Sequence, residues 1–362
     1  MIAMTSTNAL PVVHDLPLPL PVPRAVLEVL VVVFFILHIL FVNLMVGGSL
    51  LALLFEFLGL RSPRYDALAR AIGQTITVNK SLAVVLGVGP LLALNLLHTV
   101  HFYTANALTG TAWAMVIPLV TAAFLLTYAH KYSWDWLARR KAWHLALGTA
   151  PALLFLAIPF IFLVNANLML FPERWTEVRG FFSALLMPNV LPRYLHFLCA
   201  SLAVTALFLG AWFTRRGFPV AERLPAFTRP QLRRLFYRAT LLASVTQFVA
   251  GPLVYFTLPS PGITLTMTGT ILVGVLFAVI ALVLLKRELG APDGLVGRHY
   301  WPIVGLLSLT VVLMATGRHL YREERLRPHR VLMDRRTEEF QKASKAARGR
   351  PPVPTAPGPA DK

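Results

Sequence analysis

The sequence predicts an all-α fold, a polytopic transmembrane bundle of about eight helices. Three observations carry this. The 362 residues are 56% hydrophobic with a mean hydropathy of +0.65, more apolar than the surface of a soluble domain allows. Apolar runs of about 20 residues recur along the chain, each long enough to cross a bilayer as a helix. None of these runs alternates strictly between polar and apolar residues, as a membrane strand would.

The elements follow in order. Residues 1–24 form a Pro-rich extracytoplasmic segment in which Pro17, Pro19, Pro21 and Pro23 alternate in "LPLPLPVP", an extended lead into the first helix. No basic start precedes an apolar core there, so no cleavable signal pattern is expected. Spans are expected at roughly 25–59, 77–98, 110–132, 143–170, 194–214, 236–257, 263–286 and 299–317. Together they make a transmembrane bundle over residues 25–320. Residues 321–362 read as a basic, largely disordered tail ending in "RGRPPVPTAPGPADK". Pro90, Pro118, Pro151, Pro159 and Pro252 lie inside spans and read as kinked packing. "MVGGSLLA" at 45–52 reads as a close helix approach. The single cysteine, Cys199, excludes an internal disulfide, a CxxCH haem attachment and a thiolate zinc site.

The net charge of +18, from 34 basic and 16 acidic residues, reads as topology and not as nucleic-acid binding. Basic residues cluster in alternate loops: Arg61, Arg64 and Arg70; then Lys131, Arg139, Arg140 and Lys141; then Arg215 to Arg234; then Lys286, Arg287 and Arg298. The second and sixth loops have no Lys or Arg, and the fourth, with Arg174, Arg179 and Arg193, is poorer than the fifth. The positive-inside rule then places the odd loops in the cytoplasm and both termini outside, with the basic tail running against the rule.

This topology sorts the histidines. His130, His144 and His299 fall at cytoplasmic ends and read as interfacial polar residues. His38, His98, His101, His196 and His319 converge on the outer side. An ionisable side chain in a bilayer points to function, against the plainer reading that each imidazole bonds a carbonyl or water. Neutral imidazole among apolar helices suits haem iron. A zinc or copper centre is the weaker reading, since the spans nearly lack carboxylates and no HxH or HxxxH pair occurs within one. Arg318 and Arg322, one turn apart, suit haem propionates or interfacial anchoring equally. Asn165 and Asn167 read as helix-end caps ahead of the alternative that they bond a haem propionate, and Trp134, Trp136 and Trp143 as an interfacial belt.

The histidine stretches resemble subunit I of cytochrome bd quinol oxidases. "LHILFVNLMVGGSLLALLFE" resembles the first helix of that family, whose His binds the active-site haem, and His38 matches it. "LPRYLHFLCASLAVTALFLGAWF" resembles the fifth, whose His ligates the low-spin b haem, and His196 matches that. "FLVNANLMLFP" resembles the end of the fourth helix. "VLMATGRHLYRE" resembles the stretch with the GRQPW motif, of which Gly317 and Arg318 remain. The resemblance implies haem b, a bacterial inner-membrane location and other membrane subunits as partners. His98, His101, Met267 and His319 are the candidate second ligands.

The departures are equally specific. A match anchored on Asn79 and Gly87 puts Leu91 where the family has a carboxylate in helix 2, and helix 3 has none. The carboxylate before the Gly-Arg pair falls at Ala315, and the Met ligand falls near Leu272, with Met267 close by. The quinol-binding loop after helix 6 shrinks to "TLPSPG", and the chain stops about one helix short of the family plan. The sequence therefore predicts a b-type cytochrome subunit, fed by quinol or a periplasmic cytochrome c, that has kept haem positions and lost the oxygen chemistry. The rivals are a true oxygen-reducing quinol oxidase and a haem-free structural or transport subunit.

Overall fold

The computed structural model describes residues 20–77 and 80–348. Asn79, Pro17, Pro19 and the last fourteen residues of the tail lie outside them. Among the described residues twelve α-helices follow one another, with no strand. They are α1 (Arg24–Gly59), α2 (Pro63–Ile76), α3 (Lys80–Leu97), α4 (Thr99–Ala114), α5 (Val116–Tyr132), α6 (Lys141–Leu168), α7 (Phe181–Leu185), α8 (Val190–Thr214), α9 (Val220–Arg223), α10 (Arg229–Phe256), α11 (Leu265–Gly290) and α12 (Tyr300–Arg348). Seven helical stretches among the described residues are long and apolar enough to cross a membrane, α4 and α5 counting as one. The shorter apolar stretch 83–97 makes the eighth apolar segment.

The bundle has two ends. The one at Arg24 is called proximal here and the one at Gly59 distal. The first expected loop is largely helix. Pro63 opens α2 at a position where its missing N–H costs no helical bond. Leu68, Ala69, Ile72 and Ile76 recur on one face of α2 and are buried against α1. The run 99–132 is one rod that bends at Gly110, whose φ of 46° suits glycine. α10 opens with a capping box in which Thr228 and Gln231 satisfy each other's backbone N–H.

Two differences from expectation concern the C-terminal half. α11 runs on to Gly290 and brings Glu288 into a buried position, where it accepts from the N–H of His299 at 2.8 Å. α12 does not stop near residue 320. It continues to Arg348, which corrects the disordered tail over 321–348. Tyr321, Leu326 and Met333 are buried along that continuation, so an apolar face extends past the membrane-length run. Charged residues dominate the local composition and hide this periodicity.

α1 is the hub. It packs on α2, α3, α6 and α8, and parallel helices α1 and α8 lock through a polar clasp. Ser201 donates to Asn43 Oδ1 at 2.8 Å, and Thr205 donates to the Asn43 carbonyl at 2.8 Å. Gly47 makes this approach possible: a Cβ there would lie 2.4 Å from the Ser201 carbonyl oxygen and from Thr205 Oγ1. The neighbouring Gly48 accommodates Ile76 of α2 in the same way. The close approach expected of "MVGGSLLA" is thus real on both faces. Gly47→Val is expected to force α1 and α8 apart and to destabilise the bundle by about 1–3 kcal/mol. Gly73→Ala, with nothing within 4 Å of the added carbon, serves as the neutral control. Thermal unfolding in detergent measures the difference.

Candidate functional site

His38 and His196 lie at matching depth. α1 and α8 run in the same direction, and each histidine precedes its clasp residue, Asn43 or Ser201, by five positions. They face different neighbours. His38 turns to α3, where its Nδ1 donates to the Ala83 carbonyl at 2.9 Å. That bond fixes the ring and leaves Nε2 as the lone-pair nitrogen. Gly87 gives the ring room, since a Cβ there would sit 2.8 Å from His38 Cε1. His196 turns to α10 beside Gly251. Its Nδ1 is buried without a hydrogen-bond partner. In apolar surroundings such an orphaned nitrogen is costly, so it points to a missing ligand.

One turn before His196, on the same face of α8, stands the buried Arg193. It donates to Asn167 Oδ1 at 3.0 Å. Arg318 and Arg322 of α12 approach it closely enough for like-charge repulsion among the three guanidinium groups. Among the described residues neither Arg193 nor Arg318 forms an ion pair, and Arg322 Nε is buried without a partner. Arg322 reaches His319 Nδ1 at 2.9 Å. Arg322 has the carboxylates of Glu323 and Glu28 within electrostatic reach, whereas Arg193 and Arg318 have none, and a buried pair of cations without a carboxylate calls for an anion. Arg193 was missed by sequence reasoning because it counts there as one basic loop residue among several. Asn165 and Asn167 tie helices together and do not cap α6: Asn165 donates to Asn106 Oδ1 at 2.7 Å, and Asn167 to the Pro188 carbonyl at 2.9 Å.

The remaining candidates gather elsewhere at the proximal end. His98 Nε2 lies 3.1 Å from Glu323 Oε1, and Glu323 also pairs with Arg24 and Arg330. His101 Nε2 lies 3.1 Å from Nδ1 of His329, and Trp175 packs edge-on against both rings. His98, His101 and Glu323 border a cleft of about 670 Å³ that also reaches Arg24 and Tyr103. Glu323 and His329 were invisible as site residues because the chain after 320 read as a tail. Met267 is buried in the first turn of α11, packed with the proximal core, and Leu272 is exposed on the bundle surface.

The distal histidines depart most from expectation. His130 and His144 are not interfacial. They are buried side by side, ring centroids 4.3 Å apart, and both meet the Glu56 carboxylate; Trp134 is buried against them, whereas Trp136 and Trp143 are exposed. His299, in contrast, is part-exposed and holds Glu288 Oε1 at 2.7 Å.

No family profile and no curated protein matches the chain. Among solved structures it is similar to the bd oxidase from Geobacillus thermodenitrificans, with a TM-score of 0.62 and 16% sequence identity over 83% of this chain and 87% of that one. A likeness at that identity is one of fold. The chain is an all-α, multi-pass membrane bundle with a bd-oxidase-like fold.

Proposed function

We propose that this chain is a membrane b-type cytochrome subunit that carries electrons within a respiratory-type complex. The observation that carries the reading is an orphaned imidazole one turn from a buried guanidinium on one face of α8, His196 Nδ1 and Arg193, with the unpaired Arg318 of α12 within electrostatic reach of Arg193. Haem b has both groups this surface lacks, an iron for the imidazole and propionates for the cations. The residues present fit it. His196 would hold one iron through its free nitrogen, and Arg193, Arg318 and Arg322 would bind its propionates. His38 would hold a second iron through Nε2, since it faces α3 and not α10. Haem iron supplies reversible one-electron chemistry when bound. The chain's own contribution is a dry helical sleeve, a fixed imidazole orientation and positive charge at one rim.

The fold likeness to bd oxidase supports a role of this kind, and the departures in side chains limit it. Leu91 and the buried Ala315 stand where the resembling family has carboxylates. Reducing oxygen needs protons delivered to the pocket, and hydrocarbon side chains carry none. Quinol or a periplasmic cytochrome c is the proposed electron partner, with other membrane subunits beside it, in a bacterial inner membrane with the N-terminus outside. One observation favours the second reading, a true quinol oxidase: Glu323 supplies an ionisable group beside His98 and a ligand-sized cleft.

Three measurements test this. A reduced-minus-oxidised spectrum with pyridine haemochrome quantification is expected to show b-type haem. His196→Ala and His38→Ala should each remove or convert one component while the protein still inserts. Unchanged spectra in both would defeat the ligand assignment. Arg318→Gln is expected to lower the midpoint potential of the His196 haem, because losing a nearby positive charge favours the oxidised iron. The expected drop is on the order of 60 mV, one tenfold step for a single electron. An unchanged or raised potential would place the guanidinium away from the haem. Finally, the chemically reduced subunit should reoxidise slowly in air with little quinol-dependent oxygen uptake. Fast, cyanide-sensitive uptake would promote the oxidase reading.

A further inference from the structure

At the distal end, far from the proposed haem rim, three helices bring together three donors. Glu56 comes from α1, His130 from α5 and His144 from α6. Glu56 is 1% exposed and His144 0%, with His130 also buried. One donor atom of each lies within 4.8 Å of the other two. His130 Nε2 meets Glu56 Oε2 at 2.8 Å, and His144 Nδ1 meets Glu56 Oε1.

The orientation of His144 is the informative detail. Its Nε2 points at the His130 carbonyl oxygen, 3.0 Å away, and a carbonyl only accepts. Nε2 therefore carries the hydrogen, and a neutral His144 presents a lone pair at Nδ1 to a carboxylate, which is also only an acceptor. Such a contact holds either a proton, as an imidazolium–carboxylate pair, or a metal cation between the two acceptors. An imidazole that donates one N–H to a backbone carbonyl while its other nitrogen faces outward is also how metal-binding histidines are held. Glu56 has no Lys or Arg partner among the described residues. Lys131, the neighbour of His130, is engaged with Thr77 at 2.8 Å.

A second observation points to a ligand here. Beside His130 is a small cavity bordered by Ser49, Thr127, Gly148 and Pro151. Its volume of about 10 Å³ is the size of a single water site. Ser49 borders it, and its Oγ is buried with no hydrogen-bond partner. Gly148 keeps the space open: a Cβ at that position would fall 2.6 Å from His130 Nε2. His130 thus borders an open space shared with Ser49, whose hydroxyl is unsatisfied.

We infer that Glu56, His130 and His144 form a buried zinc site, with a water beside Ser49 as the fourth ligand. Two imidazoles and one carboxylate exclude magnesium and calcium, which take oxygen ligands, and suit zinc or non-haem iron(II); room for a single water beside the set favours four-coordinate zinc over iron, which needs several open positions. The ion clasps α1, α5 and α6 at the end of the bundle opposite the haem rim. It is independent of the haem reading, because it shares no residue with it.

The test uses the purified full-length chain in detergent. Elemental analysis after equilibration with micromolar zinc and removal of loose metal is expected to give a single equivalent. Zinc absorption-edge spectroscopy should show nitrogen and oxygen neighbours at about 2.0–2.2 Å and no sulfur. Glu56→Gln and His144→Gln should each abolish retention, with the haem spectrum unchanged, and Ser49→Ala should retain zinc but weaken it. Wild-type protein that holds no zinc overturns the proposal and leaves a protonated His–Glu–His triad. So does zinc that survives in the Glu56→Gln/His144→Gln double variant, which would be adventitious binding. Should the variants fail to accumulate, the wild-type stoichiometry and ligand distances decide by themselves.

Discussion

Everything in this molecule depends on the cost of a polar group in a medium without water. Most polar side chains in the bundle answer that cost locally. Thr109, Thr127, Thr240 and Thr310 donate to the carbonyl one turn back, and Asn43, Asn165 and Asn189 tie neighbouring helices together. Against that background the few groups left unsatisfied stand out. Among them are His196 Nδ1, Ser49 Oγ and Arg322 Nε, and others such as Asn95 Oδ1 and Tyr237 Oη lie elsewhere in the bundle. His196 and Arg322 lie in the proximal half, and Ser49 lies just past the middle of α1 on the distal side.

α1 links these two regions. Its proximal half carries His38, its middle carries the Asn43–Gly47 clasp to α8, and its distal half carries Glu56. The clasp fixes the relative height of α1 and α8, and so the height of His38 relative to His196. The same helix, seven residues beyond Ser49, places Glu56 between α5 and α6. A shift of α1 along its axis would disturb both ends at once. This explains why two successive glycines, Gly47 and Gly48, sit where α8 and α2 approach most closely.

The proximal rim is built by a helix that leaves the apolar layer. α12 carries Arg318 and Arg322 out of its membrane-length stretch and continues to Glu323 and His329. Glu323 gathers Arg24, His98 and Arg330, so one carboxylate organises the polar side of the rim, while the Arg193–Arg318 side has no carboxylate pair. The rim is therefore split into a neutralised half beside the cleft and a cationic half beside α8.

The sequence by itself determined the architecture. Long apolar runs have one solution in lipid, so helix count, approximate bounds and the close approach at Gly47 and Gly48 were legible from composition and spacing. It also singled out His38 and His196, because an imidazole inside an apolar run is conspicuous. Sequence patterns failed where burial comes from tertiary neighbours. α2 and the continuation of α12 have charged residues on one face, and only packing shows that the other face is covered. Arg193 looked like a loop cation until packing buried it and brought the charges of Arg318 and Arg322 within reach of it. His130 and His144 are 14 positions apart on two helices and 74 and 88 positions from Glu56, separations that form no motif. Local patterns fix helices, because helical bonds are local. Which polar groups share a buried site was decided only when α1, α5, α6, α8 and α12 packed side by side.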